Sequence, residues 1–307
     1  MTRYSKWLSL ALAGLLLLSL LPAAAEGLTL TDMTGREVTL SGPADKVVVL
    51  MPADAEILYA LGAGDKLVGR GEYCDYPADV LAVPSVQSGM QTNLEQIIAL
   101  APQALIITKM AQTPEQVETL EKAGIAVIVT DAQTIEGTYE AIRLIGAVVG
   151  KTEEADQLVA QMQEGFSAVA AKAAAIAQHK SVYFETSPLQ WGLWTAGQGS
   201  FLQEIAQITG LKNVFDDIEG WKEISQEQVI ARDPEVIVTF TMYFGEGPRP
   251  EEEIAARAGW QTLKAVTDQS IYAANGDELT RPGPRLVDGA RELFEFVYGE
   301  KVEDKAA

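Results

Sequence analysis

One cysteine and one histidine are all that 307 residues contain, and that scarcity removes several chemistries. Cys74 has no second thiol to pair with, so no disulfide closes within the chain and the fold rests on its apolar core. It reads as a small packing residue. A Zn²⁺ or Mn²⁺ receptor needs two or three imidazoles, and a Ser-His-Asp triad needs its histidine in a cleft. His179 sits where a long helix-forming stretch meets the next β run, the place of a solvated helix end. The chain has no GxxxxGK[ST], GxGxxG or HExxH, so nucleotide and metallohydrolase readings lack support. Positive charge is short as well: 23 Lys and Arg against 43 Asp and Glu give a net charge of −20. Such a chain repels nucleic acid and anionic membrane surfaces.

Residues 1–25 are a different material. "MTRYSK" carries Arg3 and Lys6, an apolar run follows from Trp7, and "PAAA" places small residues at Ala23 and Ala25. This is the pattern of a cleaved secretory signal, with an uncleaved membrane anchor as the alternative. A bacterial lipoprotein would need a cysteine directly after the cleavage site, where Glu26 stands. The expectation is an exported protein, soluble once the signal is removed.

Beyond that segment, "LTLTDMTGREVTL" suggests a hairpin turning at Thr34 and Gly35, and then alternation sets in. Strand-like runs at 46–51, 66–70, 104–108 and 126–130 are separated by helix-like stretches at 54–64, 93–101 and 114–124. Continuous β-branched runs between amphipathic helices indicate a parallel sheet covered on both faces. From Thr138 to about Ala177 only helix formers appear. The rhythm then restarts with strands at 181–186, 235–240 and 270–275, and a terminal helix at 283–299. The predicted class is α/β: an N-terminal lobe (26–137), a connecting helical segment (138–178), a C-terminal lobe (179–300) and a tail (301–307). One long helix joins two parallel-sheet lobes.

A repeated phrase supports the doubling. "TNLEQIIALAPQALII" (92–107) returns as "ISQEQVIARDPEVIV" (224–238), aligning Glu95 with Glu227 and Pro102 with Pro234. Both glutamates fall in the first turn of a predicted helix, where a carboxylate favours the positive end of the dipole and caps free N–H groups.

Aromatic residues gather between the predicted elements. Tyr73 and Tyr76 lie in "EYCDYP" (72–77). Trp191, Trp194 and Trp221 fall in second-lobe loops, and Tyr243 lies in "TMYFGEGP" (241–248). Ligands of open parallel sheets bind beyond the carboxyl ends of the strands, and several rings there suit a large, flat, partly apolar ligand. The alternative is that the rings seal each lobe's core. In "GDELTRPGPR" (276–285), Asp277 and Arg281 are spaced to pair with each other or with ligand polar groups, or Arg281 and its prolines cap the last helix.

Taken together, "MPADAEILYALGAGDKLVG", "YCDYP", "NLEQIIALAPQALII", "WTAGQGSFLQEIAQITGLKNVF", "ISQEQVIARDPEVIV" and "RPGPRLVDG" resemble the substrate-binding proteins of ABC importers for iron-siderophores, haem and vitamin B12. The resemblance covers nearly all of the chain after residue 25 and is strongest to the cobalamin-binding members. It implies two α/β lobes bridged by one helix, binding without catalysis, and delivery by a monomeric receptor to a permease dimer. It assigns Tyr73, Trp194, Trp221, Asp277 and Arg281 to the ligand, and Glu95 and Glu227 to docking on permease arginines; Ala53 and Tyr243 are expected at the ligand as well. Cobalamin proteins can carry a tryptophan before "QGMNLE", where this chain has Gln87 and Ser88. The implied ligand is a cobalt corrinoid, bound as cargo with no resident cofactor or metal. Haem, with Tyr73 or Tyr243 as axial ligand, and a ferric siderophore are the alternatives. A related chelatase enzyme would need a His–acid pair in the cleft.

Overall fold

Hydrophobic runs without alternation determine the two sheets at the centre of the structure. The computed structural model describes residues 27–109, 112–241 and 246–302. The expected signal segment (1–25), Tyr243 and residues 303–307 of the tail lie outside the described residues.

A hairpin of β1 (Leu28–Thr31) and β2 (Glu37–Leu40) opens the fold. Its turn closes on Asp32, whose carboxylate accepts from the N–H and hydroxyl of Thr34 and from Arg36, while Gly35 takes the left-handed conformation (φ 82°). The first lobe is built from β3 (Val47–Val49), α1 (Pro52–Ala60), β4 (Leu67–Gly71) and β5 (Ser85–Val86). Then come α2 (Leu94–Leu100), β6 (Ala104–Thr108), α3 (Pro114–Lys122) and β7 (Ala126–Thr130). The strands form a parallel sheet in the order β5-β4-β3-β6-β7. Successive residues of each strand serve opposite faces. Val47, Val49 and Ile106 pack toward α1, while Val48, Leu105 and Val127 pack toward α2 and α3.

The expected helical segment is two helices, α4 (Ile135–Val149) and α5 (Thr152–Ala173). Gly150, left-handed at φ 72°, ends the first. α4 packs against α1 of the first lobe, and the 22-residue α5 runs toward the second. At about 1.5 Å per residue, α5 spans roughly 33 Å.

The second lobe contains β8 (Ser181–Glu185), β9 (Leu193–Ala196), α6 (Phe201–Ile208), β10 (Lys212–Asn213), β11 (Trp221–Ile224), α7 (Gln226–Arg232) and β12 (Val236–Thr239). It closes with α8 (Pro250–Ala256), α9 (Lys264–Thr267), β13 (Ile271–Ala273), α10 (Gly276–Thr280) and α11 (Leu286–Tyr298). Its parallel sheet runs β10-β8-β12-β13, and β9 pairs with β11 as a separate antiparallel ribbon. Both doubled phrases fold alike: a seven-residue helix (α2, α7), a left-handed residue (Ala101, Asp233) and a buried strand (β6, β12).

One apolar cluster runs through both lobes. It joins Ile57 and Leu58 of α1, Ile142 and Ile145 of α4, Val159 and Phe166 of α5, and Leu286 and Leu293 of α11. Gly165 permits this contact, since a Cβ there would lie 2.4 Å from Val287 Cγ1. A continuous core favours a small hinge motion over a wide swing of the lobes.

Candidate ligand-binding cleft

A cleft of about 500 Å³ opens between the lobes. The first lobe contributes Ala53 and Asp54 at the start of α1, Thr108 and Thr130 at the ends of β6 and β7, and Gln133. The second contributes Trp194, Phe201 and Trp221, with Thr280 and Pro282. Two other hollows, of about 540 and 440 Å³, lie on the flank of the first lobe near the hairpin and α3. Neither includes an aromatic side chain or a residue of the second lobe, so of these three hollows the interlobe cleft best suits a large flat ligand.

The tryptophans are held by the β9–β11 ribbon. Trp194 lies opposite Glu223, and Trp221 opposite Ala196. Leu193 and Thr195 turn inward while Trp194 stays 40% exposed. Asn213 Nδ2 fixes the ribbon by donating to the Ala196 carbonyl at 2.7 Å. The Trp221 ring packs against Phe201 with centroids 5.4 Å apart, and its Nε1 donates to Gln133 Oε1 of the opposite wall at 3.2 Å. These residues were expected in loops. Strands of four residues, separated by α6 and β10, leave too short an alternation to read before folding.

The acidic–basic pair is tied into an ion cluster across the lobes. Arg281 contacts Asp277 at 2.8 Å, Asp75 at 2.7 Å and Glu56 at 2.9 Å. Arg285 donates to both Glu56 oxygens, at 2.8 and 2.7 Å, and its guanidinium lies 4.0 Å from the centre of the Tyr76 ring. The Arg281 hydrogen bond holds the Asp75 carboxyl below its usual range. Of the two partners expected for Asp277 and Arg281, the structure places each beside the other. Asp277 belongs to the short helix α10.

Tyr73 is 73% exposed and stands outside the cleft lining, in a loop steadied by Arg70, which donates to the carbonyls of Gly71 and Cys74. Trp191 is exposed as well. His179 is exposed at the start of β8, with Nδ1 2.7 Å from the Gly210 carbonyl. Glu95 and Glu227 are exposed in the first turns of α2 and α7, one on each lobe. The caps themselves come from neighbours: Asn93 Oδ1 accepts from Gln96 N, and Ser225 and Gln228 form a capping box. The Ser225 hydroxyl and its own backbone N–H hold the Glu227 carboxyl below its usual range.

A family model described as periplasmic binding protein matches residues 47–277. The chain belongs to the periplasmic binding protein family. Among its relatives, an uncharacterized ABC transporter substrate-binding lipoprotein of Bacillus subtilis is 34% identical over 281 residues, covering 90% of this chain and 87% of the relative. A vitamin B12-binding protein of Salmonella typhimurium is 30% identical over 254 residues, covering 81% and 89%. The fold matches that of the periplasmic haem-binding protein of Vibrio cholerae with a TM-score of 0.75 and 21% identity, covering 83% of this chain and 99% of that one. This periplasmic binding protein shares the two-lobed fold of that structure. Among the described residues no helix is long and apolar enough to cross a membrane.

Sequence reasoning missed two cleft-side carboxylates of this binding protein, Asp54 and Glu56, which are 4% and 3% exposed. "PADAE" reads as the solvated first turn of a helix, and nothing local signals that tertiary contacts cover it. Burial pushes Asp54 up to about 7, against a hydrogen bond from Thr130 that lowers it.

Proposed function

We propose that the protein captures a corrinoid in the interlobe cleft and delivers it to an ABC importer, by binding without chemistry. The carrying observation is the pairing of Trp194 and Trp221 with the Ala53–Asp54 turn across a cleft of about 500 Å³. Indole faces bury a macrocycle face, and the cleft's hydroxyls and amide (Thr108, Thr130 and Gln133) suit a rim of neutral amides. The charges beside the cleft weigh against an anionic ligand. Arg281 and Arg285 face Glu56, Asp75 and Asp277, and Lys109 faces Asp131 at 3.0 Å. The vitamin B12-binding relative supports the same ligand class.

Haem is the second reading, favoured by one observation. The Tyr73 phenol is exposed, as an axial ligand to an incoming iron must be. A chelatase reading lacks a His–acid pair, because His179 lies just before the start of β8 and bonds to the Gly210 carbonyl. Docking is assigned to Glu95 and Glu227, which offer one exposed carboxylate per lobe to a two-fold permease dimer. The receptor acts as an exported monomer after removal of residues 1–25.

Exposure of the purified protein to cobinamide, cobalamin, haem and ferric siderophores, followed by visible spectra and native mass, tests the ligand. One-to-one corrinoid binding supports the proposal. Saturable haem binding without corrinoid binding replaces it with the second reading.

A further inference from the structure

Asp54 lies on the floor of the cleft, and its hydrogen bonding limits its proton content. Thr130 Oγ1 is 3.0 Å from Asp54 Oδ2 and 3.1 Å from the Ile107 carbonyl. A hydroxyl has one hydrogen, and a backbone carbonyl only accepts. When the Thr130 hydrogen goes to Ile107, the contact with Asp54 needs a proton on the carboxyl. The one Thr130 hydrogen is divided between Asp54 Oδ2 and the Ile107 carbonyl, so an Asp54 carboxylate receives only part of a hydrogen bond to offset its burial. Oδ1 then remains as an acceptor with no partner among the described residues, on a side chain that lines the cleft.

The neighbouring charges leave that acid without a counter-ion. Along α1, Glu56 is held by Arg281 and Arg285. From α10 and the residues after it come Asp277 and Arg281, which pair with each other. From the β4 side, Arg70 donates to backbone carbonyls, and burial, with the nearby Asp54 adding to it, keeps the Cys74 thiol protonated. At the ends of β6 and β7, Lys109 pairs with Asp131. No cation among the described residues forms an ion pair with Asp54, and burial holds its carboxyl near neutrality.

We propose that Asp54 contacts the ligand and sets the charge selectivity of the cleft, admitting a rim of amides and excluding a rim of carboxylates. The proposal rests on the reading of the cleft as a macrocycle site. As an acid, Asp54 accepts an amide N–H on Oδ1. A ligand carboxylate in the same place sets oxygen lone pairs against Oδ1, and it meets a like charge once Asp54 ionises. The exclusion therefore strengthens as pH rises through neutrality.

The test compares cobinamide, which bears rim amides, with cobyrinic acid, the same macrocycle bearing carboxylates. Wild-type protein should prefer cobinamide, with the preference growing about tenfold between about pH 6 and about pH 8. Asp54→Asn, which cannot ionise, should remove that growth. Thr130→Val removes the hydroxyl that favours the charged form, and should shift the transition to higher pH. An identical pH dependence in wild type and Asp54→Asn overturns the proposal. If haem binds and neither corrinoid does, the corrinoid reading fails separately. Haem affinity should then fall with pH in the wild type but not in Asp54→Asn, and equal falls overturn the role of Asp54.

Discussion

Arg285 meets Glu56 through two parallel hydrogen bonds, 2.8 Å from Nε and 2.7 Å from Nη2, one partner on each lobe. The Glu56 side chain is 2% exposed and that of Arg285 13%, so the pair sits in low dielectric with Arg281 as a second cation. Removing one partner from such a pair leaves buried charge uncompensated. Glu56→Gln should therefore lower unfolding free energy by about 3 kcal/mol, read from urea denaturation with wild-type slope. A loss below about 1 kcal/mol would show that solvent reaches the arginines in the variant.

Trp221 has two separable roles, a ring face in the cleft and an Nε1 hydrogen bond to Gln133. Corrinoid binding should quench its fluorescence. Trp221→Ala should weaken binding by about 1–3 kcal/mol, while Trp221→Phe should retain most of it. Equal losses in both variants would assign the effect to the lobe-bridging hydrogen bond instead of stacking.

Much of this arrangement was legible before folding. Uninterrupted β-branched runs such as "ALIIT" and "AVIVT" marked strands covered on both faces, and the repeated phrase marked the second lobe. Trp194 and Trp221 were legible as residue types but not as a ribbon, because pairing between distant short strands leaves no local period. Asp54 and Glu56 were illegible. The same carboxylate in a helix's first turn is solvated or buried depending on what packs over it, and here the cover comes from residues some 75 and 225 positions away. Gly150 signalled the break between α4 and α5, but the helix formers on either side concealed it.

Cys74 should be chemically silent in the folded protein. Burial pushes its thiol up to about 12, with smaller contributions from its neighbours. A raised pKa keeps the thiol protonated at every lower pH, so disulfide reagents at about pH 8 should react only after denaturant is added. His179→Ala should leave ligand affinity within about threefold, since its ring bonds the Gly210 carbonyl far from the cleft. Rapid labelling of Cys74 in the native state would indicate opening of the loop that covers it, and lost binding in His179→Ala would place the ligand elsewhere.

The doubled glutamates pose the question that architecture leaves open. Helix, left-handed cap and strand recur because each lobe needs the same unit, and Ile97 and Val229 supply the same buried contact in both. Those needs do not require a carboxylate at Glu95 and Glu227. Asn93 already accepts a helix N–H in the first lobe, and the Ser225–Gln228 box does so in the second. Each glutamate gains a little from the helix dipole, and an exposed charge contributes only a few tenths of a kcal/mol in that way. Two exposed carboxylates on matching turns suit the arginines of two identical permease subunits. Each contact would add about 0.2–1 kcal/mol, while the pair fixes orientation and speeds encounter. Replacing both, Glu95→Arg with Glu227→Arg, should leave the unfolding midpoint and corrinoid affinity near wild type and abolish uptake in cells. Uptake at the wild-type rate would assign the recurrence to the helix ends alone, and loss of ligand binding would mean that the turns support the cleft.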